Sequence, residues 1–213
     1  MPRKLPLYLL IDTSDSMKGE PIESVKVGIE SMLSKLCTIP EALDTIFISI
    51  ITYGANVQQI LPLTNLEYFQ LPNLEVNGAA QLDVSLTLLV DRINSEVDKG
   101  NFDRKPDWWP WIIIISDGKI IDDTTDYKKI LNNVYVGGIL IYSIDCNDEI
   151  NSHNNLSYRI MPFNTFEITL CSHLKWVSSP IGPNSYEHIT YETLDFLSPP
   201  PPTNSDGYVY IEI

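Results

Sequence analysis

Two uninterrupted apolar runs, Leu7 to Ile11 (LYLLI) and Trp111 to Ser116 (WIIIIS), constrain the fold more than any other feature of the chain. A strand that carries apolar side chains at successive positions is buried on both faces, and it gains that burial only with helices packed on each side of its sheet. Each run passes directly into an acid: Asp12 follows the first and Asp117-Gly118 the second. In an open α/β sheet the C-terminal ends of such strands border the ligand crevice, so Asp12 and Asp117 are expected close together there.

The intervening sequence supplies the helices. Glu20-Pro21 sets up a helix start, and Ile22, Val25, Ile29, Met32, Leu33 and Leu36 recur at helical spacing until Pro40. Thr45 to Tyr53 is β-branched and aromatic, Gly54-Ala55-Asn56 reads as a turn, and Val57 to Leu61 is extended, predicting an antiparallel hairpin. Asn77-Gly78 breaks the chain before a second helical stripe, Leu82, Leu86, Leu89, Val90 and Ile93. Beyond Asp117 the pattern predicts a short helix around 127–133, a strand over 138–144, a helix after Ser152, a strand near 163–167 and a helix over 172–177. The class is α/β with a mostly parallel sheet. The domain is expected to close near Ser179, giving a domain over 1–179 and a Pro-rich tail over 180–213. The tail's last residues, Tyr208 to Ile213, alternate like a strand that could pair with a sheet edge.

With 213 residues, 44% hydrophobic, the chain can bury one compact core. Its net charge of -14 repels a phosphate backbone, so nucleic acid is not an expected partner; basic protein surfaces and cations are better matched. Cys37, Cys146 and Cys171 form no CxxC pair, which predicts reduced thiols in a cytoplasmic protein. The N-terminal apolar stretch is interrupted by Pro6 and has no small-residue cleavage site, so a signal peptide is not expected; nor does any window reach the length of a membrane span.

The segment Asp12-Thr13-Ser14-Asp15-Ser16 is the chemical centre of the sequence. In an extended loop residues 12, 14 and 16 point the same way, so a carboxylate and two hydroxyls converge, joined by Asp117 from the other strand. These hard oxygen donors suit magnesium or a similar divalent cation. The alternative is a loop without metal, in which the same side chains satisfy backbone donors.

Asp12-Thr13-Ser14-Asp15-Ser16 resembles the DxSxS motif of the von Willebrand factor type A domain. LYLLIDTSDSMKGEPIESVKVGIESML, ISIITYG, ILPLT, FQLP, IIIISDGK and KWVSS are most similar, within that family, to bacterial proteins encoded with tellurite-resistance and stress-response operons. The resemblance implies a doubly wound, three-layer α/β/α fold with one antiparallel edge strand and a metal-ion-dependent adhesion site. Ser14 and Ser16 would ligate magnesium, manganese or calcium directly, Asp12 and Asp117 mostly through water, and a partner protein's carboxylate would complete the ion. Asp15, Met17, Gly78, Ala80, Gln81, Asp83, Gly118 and Lys119 would form the rim. Kinase- or phosphatase-like proteins of the same bacterial stress system are the implied partners, with binding rather than catalysis as the output.

One ligand is missing from the pattern. Where the family has a threonine in the loop before the second helix, this chain has Ala80, which offers no side-chain oxygen, so a weakened ion site is expected. Asp83 could compensate with a carboxylate, but it is expected on the first helical turn, where the helix dipole alone favours an acid. Asp15 adds a negative charge that would either aid cation capture or repel an acidic ligand. A metal-dependent phosphoryl-transfer or hydrolase domain is the competing class, as is a metal-free scaffold. Against the enzyme, Ser14 stands where an aspartate-nucleophile phosphatase would have its second acid, and neither a phosphate loop nor GxSxG is present. His153, His173 and His188 are isolated and receive no role. Trp111 is expected in the core, with Trp108 left open between core and surface anchor.

Overall fold

The computed structural model describes residues 3–103, 105–117, 138–143 and 158–162. Its elements in chain order are β1 (Leu5–Asp12), α1 (Glu20–Leu36), α2 (Pro40–Thr45), β2 (Ile46–Tyr53), β3 (Val57–Asn65), α3 (Leu82–Glu96), β4 (Trp111–Ser116), β5 (Gly138–Ser143) and β6 (Tyr158–Pro162). The strands form one sheet in the order β3-β2-β1-β4-β5-β6, parallel throughout except for the antiparallel β2–β3 pair.

Strand periodicity divides the core into two layers. On one face Leu5, Leu7, Leu9 and Ile11 of β1, with Ile46, Ile48 and Ile50 of β2 and Ile113 and Ile115 of β4, pack against Ile22, Val25, Ile29, Met32 and Leu36 of α1. On the other, Tyr8, Leu10, Ile51, Tyr53, Ile112 and Ile114 meet Leu82, Leu86, Leu89 and Ile93 of α3. The apolar stripes of the two helices thus cover opposite sides of the same strands, as continuous apolar runs require. Burying each of these side chains contributes on the order of 2 kcal/mol.

Several boundaries differ from the sequence expectation. Residues 40–45 form a short helix with Pro40 in its first turn, so β2 starts at Ile46 and not at Thr45. Proline is favoured there because its missing N–H has no helical acceptor in any case. β3 continues past Leu61 to Asn65 and through Pro62. It is an edge strand, and the β2–β3 register shifts opposite that stretch, between Ile48–Thr64 and Ile50–Leu61, where a residue without an N–H is tolerated. The last described strand is Tyr158–Pro162, in parallel register with β5, where the sequence pattern placed a helix after Ser152 with a strand only from Phe163. The expected helices over 127–133 and 172–177, the strand over 163–167, the domain limit at Ser179, the tail and the three histidines lie outside the described residues. Trp111 is buried as expected, whereas Trp108 packs partly buried against the core with the Arg3 guanidinium 3.8 Å above its ring.

Candidate functional site

β1 and β4 are neighbours at the centre of the sheet, yet the chain leaves β1 toward β2 on one side and β4 toward β5 on the other. That reversal opens a crevice at their C-terminal ends. Ile11 pairs with Ile115, so Asp12 lies level with Ser116 and Asp117 one residue beyond. Asp12, Ser14, Ser116 and Asp117 are all buried there.

Asp12 Oδ1 accepts the Ser14 N–H at 2.8 Å, turning the chain sharply out of the strand. The Ser14 and Ser16 hydroxyl oxygens are 3.0 Å apart, with Ser14 buried and Ser16 exposed at the mouth. The second carboxylate oxygen, Asp12 Oδ2, is buried without any hydrogen-bond partner. Burial raises the Asp12 carboxyl above its ordinary range, and the nearby Asp117 charge raises it further. The Ser14 N–H and the Ser14 and Ser116 hydroxyls act in the opposite direction, although neither hydroxyl completes a hydrogen bond to Oδ2. Two acids and two hydroxyls therefore meet at this end of the sheet, where one oxygen of Asp12 lacks a counterpart.

Three loops at this end of the sheet are tied together by backbone bonds. Thr13 N donates to Tyr53 O at 3.2 Å, Asn77 N to Thr13 O at 2.8 Å and Ala55 N to Asn77 O at 2.9 Å. The Gln81 amide donates to Gly54 O and Ala55 O at 3.1 and 2.7 Å. Gly54 is needed for this approach, because a Cβ there would lie 2.6 Å from both Thr13 O and Asn77 O. Gly78 has a φ of +62° and its Cβ would strike Ala55.

The rim expected from sequence divides into distinct groups. Asp15 is exposed, but one of its oxygens accepts the Gly78 N–H at 2.9 Å. Met17 is fully buried in the core beneath α1, which corrects its placement on the partner-facing rim; an apolar side chain that follows the exposed Ser16 turns inward because residues 15–17 form a 3-10 turn. Ala80 is half-buried against the apolar layer under α3, and Asp83 is exposed on the first turn of that helix. Gly118 and Lys119 lie outside the described residues. Gly54, Asn77 and Ser116 are not among the site residues expected from sequence; Gly54-Ala55-Asn56 reads only as a turn, and a long-range backbone contact leaves no local signal. Among the described residues no group of three or more His, Cys, Asp or Glu side chains gathers, so hydroxyls are needed to complete any ion site built on this pair of acids. No helix among them is long and apolar enough to cross a membrane.

A family model described as "von Willebrand factor type A domain" matches residues 7–161, well over half of the chain. No curated protein matches the sequence significantly. Among solved structures, the chain is similar to the SpRpn10 VWA domain, with 16% identity, a TM-score of 0.52, and coverage of 86% of this chain and 100% of that one. It is also similar to a von Willebrand factor type A protein from Catenulispora acidiphila (12% identity, TM-score 0.56, 83% and 43% covered). A third is the PilB minor pilin from Streptococcus sanguinis (10% identity, TM-score 0.56, 83% and 61% covered). At these identities the likeness concerns the fold, and the chain spans less than two thirds of the latter two proteins.

Proposed function

The chain belongs to the von Willebrand factor type A domain family, and from that premise we propose that it is a protein–protein interaction module whose contact point is a divalent cation held between β1 and β4. Domains of this family generally bind protein partners. The observation that carries the ion is the buried, unpartnered Oδ2 of Asp12 beside a second acid. An ionised oxygen without a partner is costly inside a protein, and a cation or its ordered water is the counterpart it lacks.

The donor set fits magnesium. Oxygens on adjacent corners of a magnesium octahedron, with bonds of about 2.0–2.1 Å, lie about 2.9 Å apart, and the Ser14 and Ser16 hydroxyls are separated by 3.0 Å. In this reading Ser14 and Ser16 would ligate directly, and Asp12 and Asp117 would act mostly through water. Bound there, the ion supplies an electrophilic point that a partner's carboxylate completes. Ala80 contributes no side-chain oxygen, so binding of magnesium, manganese or calcium is weaker than with threonine. The role is recognition and not catalysis. We extend the reading to a cytoplasmic scaffold of a bacterial, tellurite-resistance-type stress response with kinase- or phosphatase-like partners, an extension that rests on sequence resemblance alone.

Isothermal titration with magnesium and then manganese, alongside thermal unfolding with each ion, tests the proposal. Saturable binding with a raised Tm, abolished in Asp12→Ala and Ser14→Ala without loss of fold, is the expected result. No binding at millimolar ion overturns the ion-dependent mechanism and leaves a metal-free interaction surface.

A further inference from the structure

Asp15 stands between the two serines, and its hydrogen bonds run away from them toward the loop before α3. Its N–H donates to Gly78 O at 2.8 Å, while its Oδ1 accepts the Gly78 N–H at 2.9 Å. Two bonds in opposite directions between the same two residues form a closed clasp. The Asn77 N–H to Thr13 O bond, at 2.8 Å, adds a third link beside it. Only one of these links uses a side chain, and it is the charge-assisted one.

We propose that Asp15 is a positioning residue that fastens the α3 loop to the Ser14–Ser16 loop without any ion, so that the site is preorganised by the protein itself. Ala80 has no side-chain oxygen with which to bridge the α3 loop to an ion, so the loop lacks the side-chain ligand that would draw it inward. The Asp15 carboxylate supplies that connection from the opposite side, as an acceptor for a main-chain N–H. The left-handed Gly78, packed against Ala55, aims its N–H at the clasp. Asp15 is exposed, so its contribution is local to the two loops and the core does not depend on it.

The inference rests on the ion-site reading for its consequence, but its test does not require an ion. In the full chain held in EDTA, the Gly78 amide exchange rate is measured by NMR for wild type, Asp15→Ala and Asp15→Asn. Asp15→Ala should speed exchange by at least about tenfold, the effect of losing one charge-assisted hydrogen bond. Asp15→Asn, which keeps an oxygen acceptor and loses the charge, should restore most of the protection. Manganese titration then reads the consequence: affinity should fall several-fold in Asp15→Ala and remain within about twofold of wild type in Asp15→Asn. Unchanged Gly78 exchange in Asp15→Ala overturns the clasp, as does Asp15→Asn behaving like Asp15→Ala in both measurements, which would make charge the agent. If wild type binds no ion while exchange responds as described, the clasp stands and the ion-dependent function falls.

Discussion

Gly54→Ala puts the interlocking of the three loops to its most direct test. Gly54 has no unusual backbone angle to excuse it, so space alone decides the outcome. An added Cβ would sit 2.6 Å from Thr13 O, 2.6 Å from Asn77 O and 2.9 Å from Thr13 Oγ1. The first two are main-chain oxygens already engaged, Thr13 O with the Asn77 N–H and Asn77 O with the Ala55 N–H. They cannot retreat by the several tenths of an ångström required without stretching those bonds. Overpacking costs about 1–3 kcal/mol, and weakening one or two backbone hydrogen bonds adds about 1 kcal/mol. The expected loss is therefore about 2–4 kcal/mol, a large share of the roughly 5–15 kcal/mol that stabilises a typical domain. Urea unfolding of the ion-free protein measures it, with an unchanged m-value showing that both states keep their compactness. A loss below about 0.5 kcal/mol would refute the packing of Gly54 against both loops.

Three other outcomes follow from the same geometry. Asp12→Asn keeps an oxygen for the Ser14 N–H and removes the buried charge, so stability without ion should rise by on the order of 1 kcal/mol while ion-dependent stabilisation disappears; a fall in chemical-denaturation stability without ion would contradict the unpartnered state of Oδ2. Burial, reinforced by the Glu96 carboxylate to which its hydroxyl donates at 3.0 Å, holds Tyr8 protonated well above the usual phenol range. Unfolded tyrosine titrates near pH 10, so above that pH the native state binds more protons and stability falls by up to about 1.4 kcal/mol per unit; Tyr8→Phe should remove one proton's worth of that slope, and an unaltered slope would show that Tyr8 ionises freely in the fold. Ala80→Thr retains the methyl contact with the apolar layer and adds an oxygen, so manganese affinity should rise by roughly tenfold for one added ligand, whereas unchanged affinity by calorimetry would mean the hydroxyl cannot reach the ion.

Much of this molecule was legible from local pattern. The runs through β1 and β4 announced strands buried on both sides, the stripes of α1 and α3 announced the helices that bury them, and the acids ending both runs marked the crevice. These follow from periodicity and burial, which are properties of neighbouring residues. The DxSxS spacing likewise puts Asp12, Ser14 and Ser16 on one loop, where their polar atoms meet. Tertiary structure decided what no local pattern encodes: that Met17 turns inward, that Pro62 lies within an edge strand, that Asp15 reaches across to Gly78, and that one oxygen of Asp12 is left without a partner. The Asp15–Gly78 link joins atoms brought together from segments distant in sequence, at separations of about 3 Å. Hydropathy chooses which face of an element is buried, but only the assembled sheet fixes which loops meet at its end and which polar groups they leave unsatisfied.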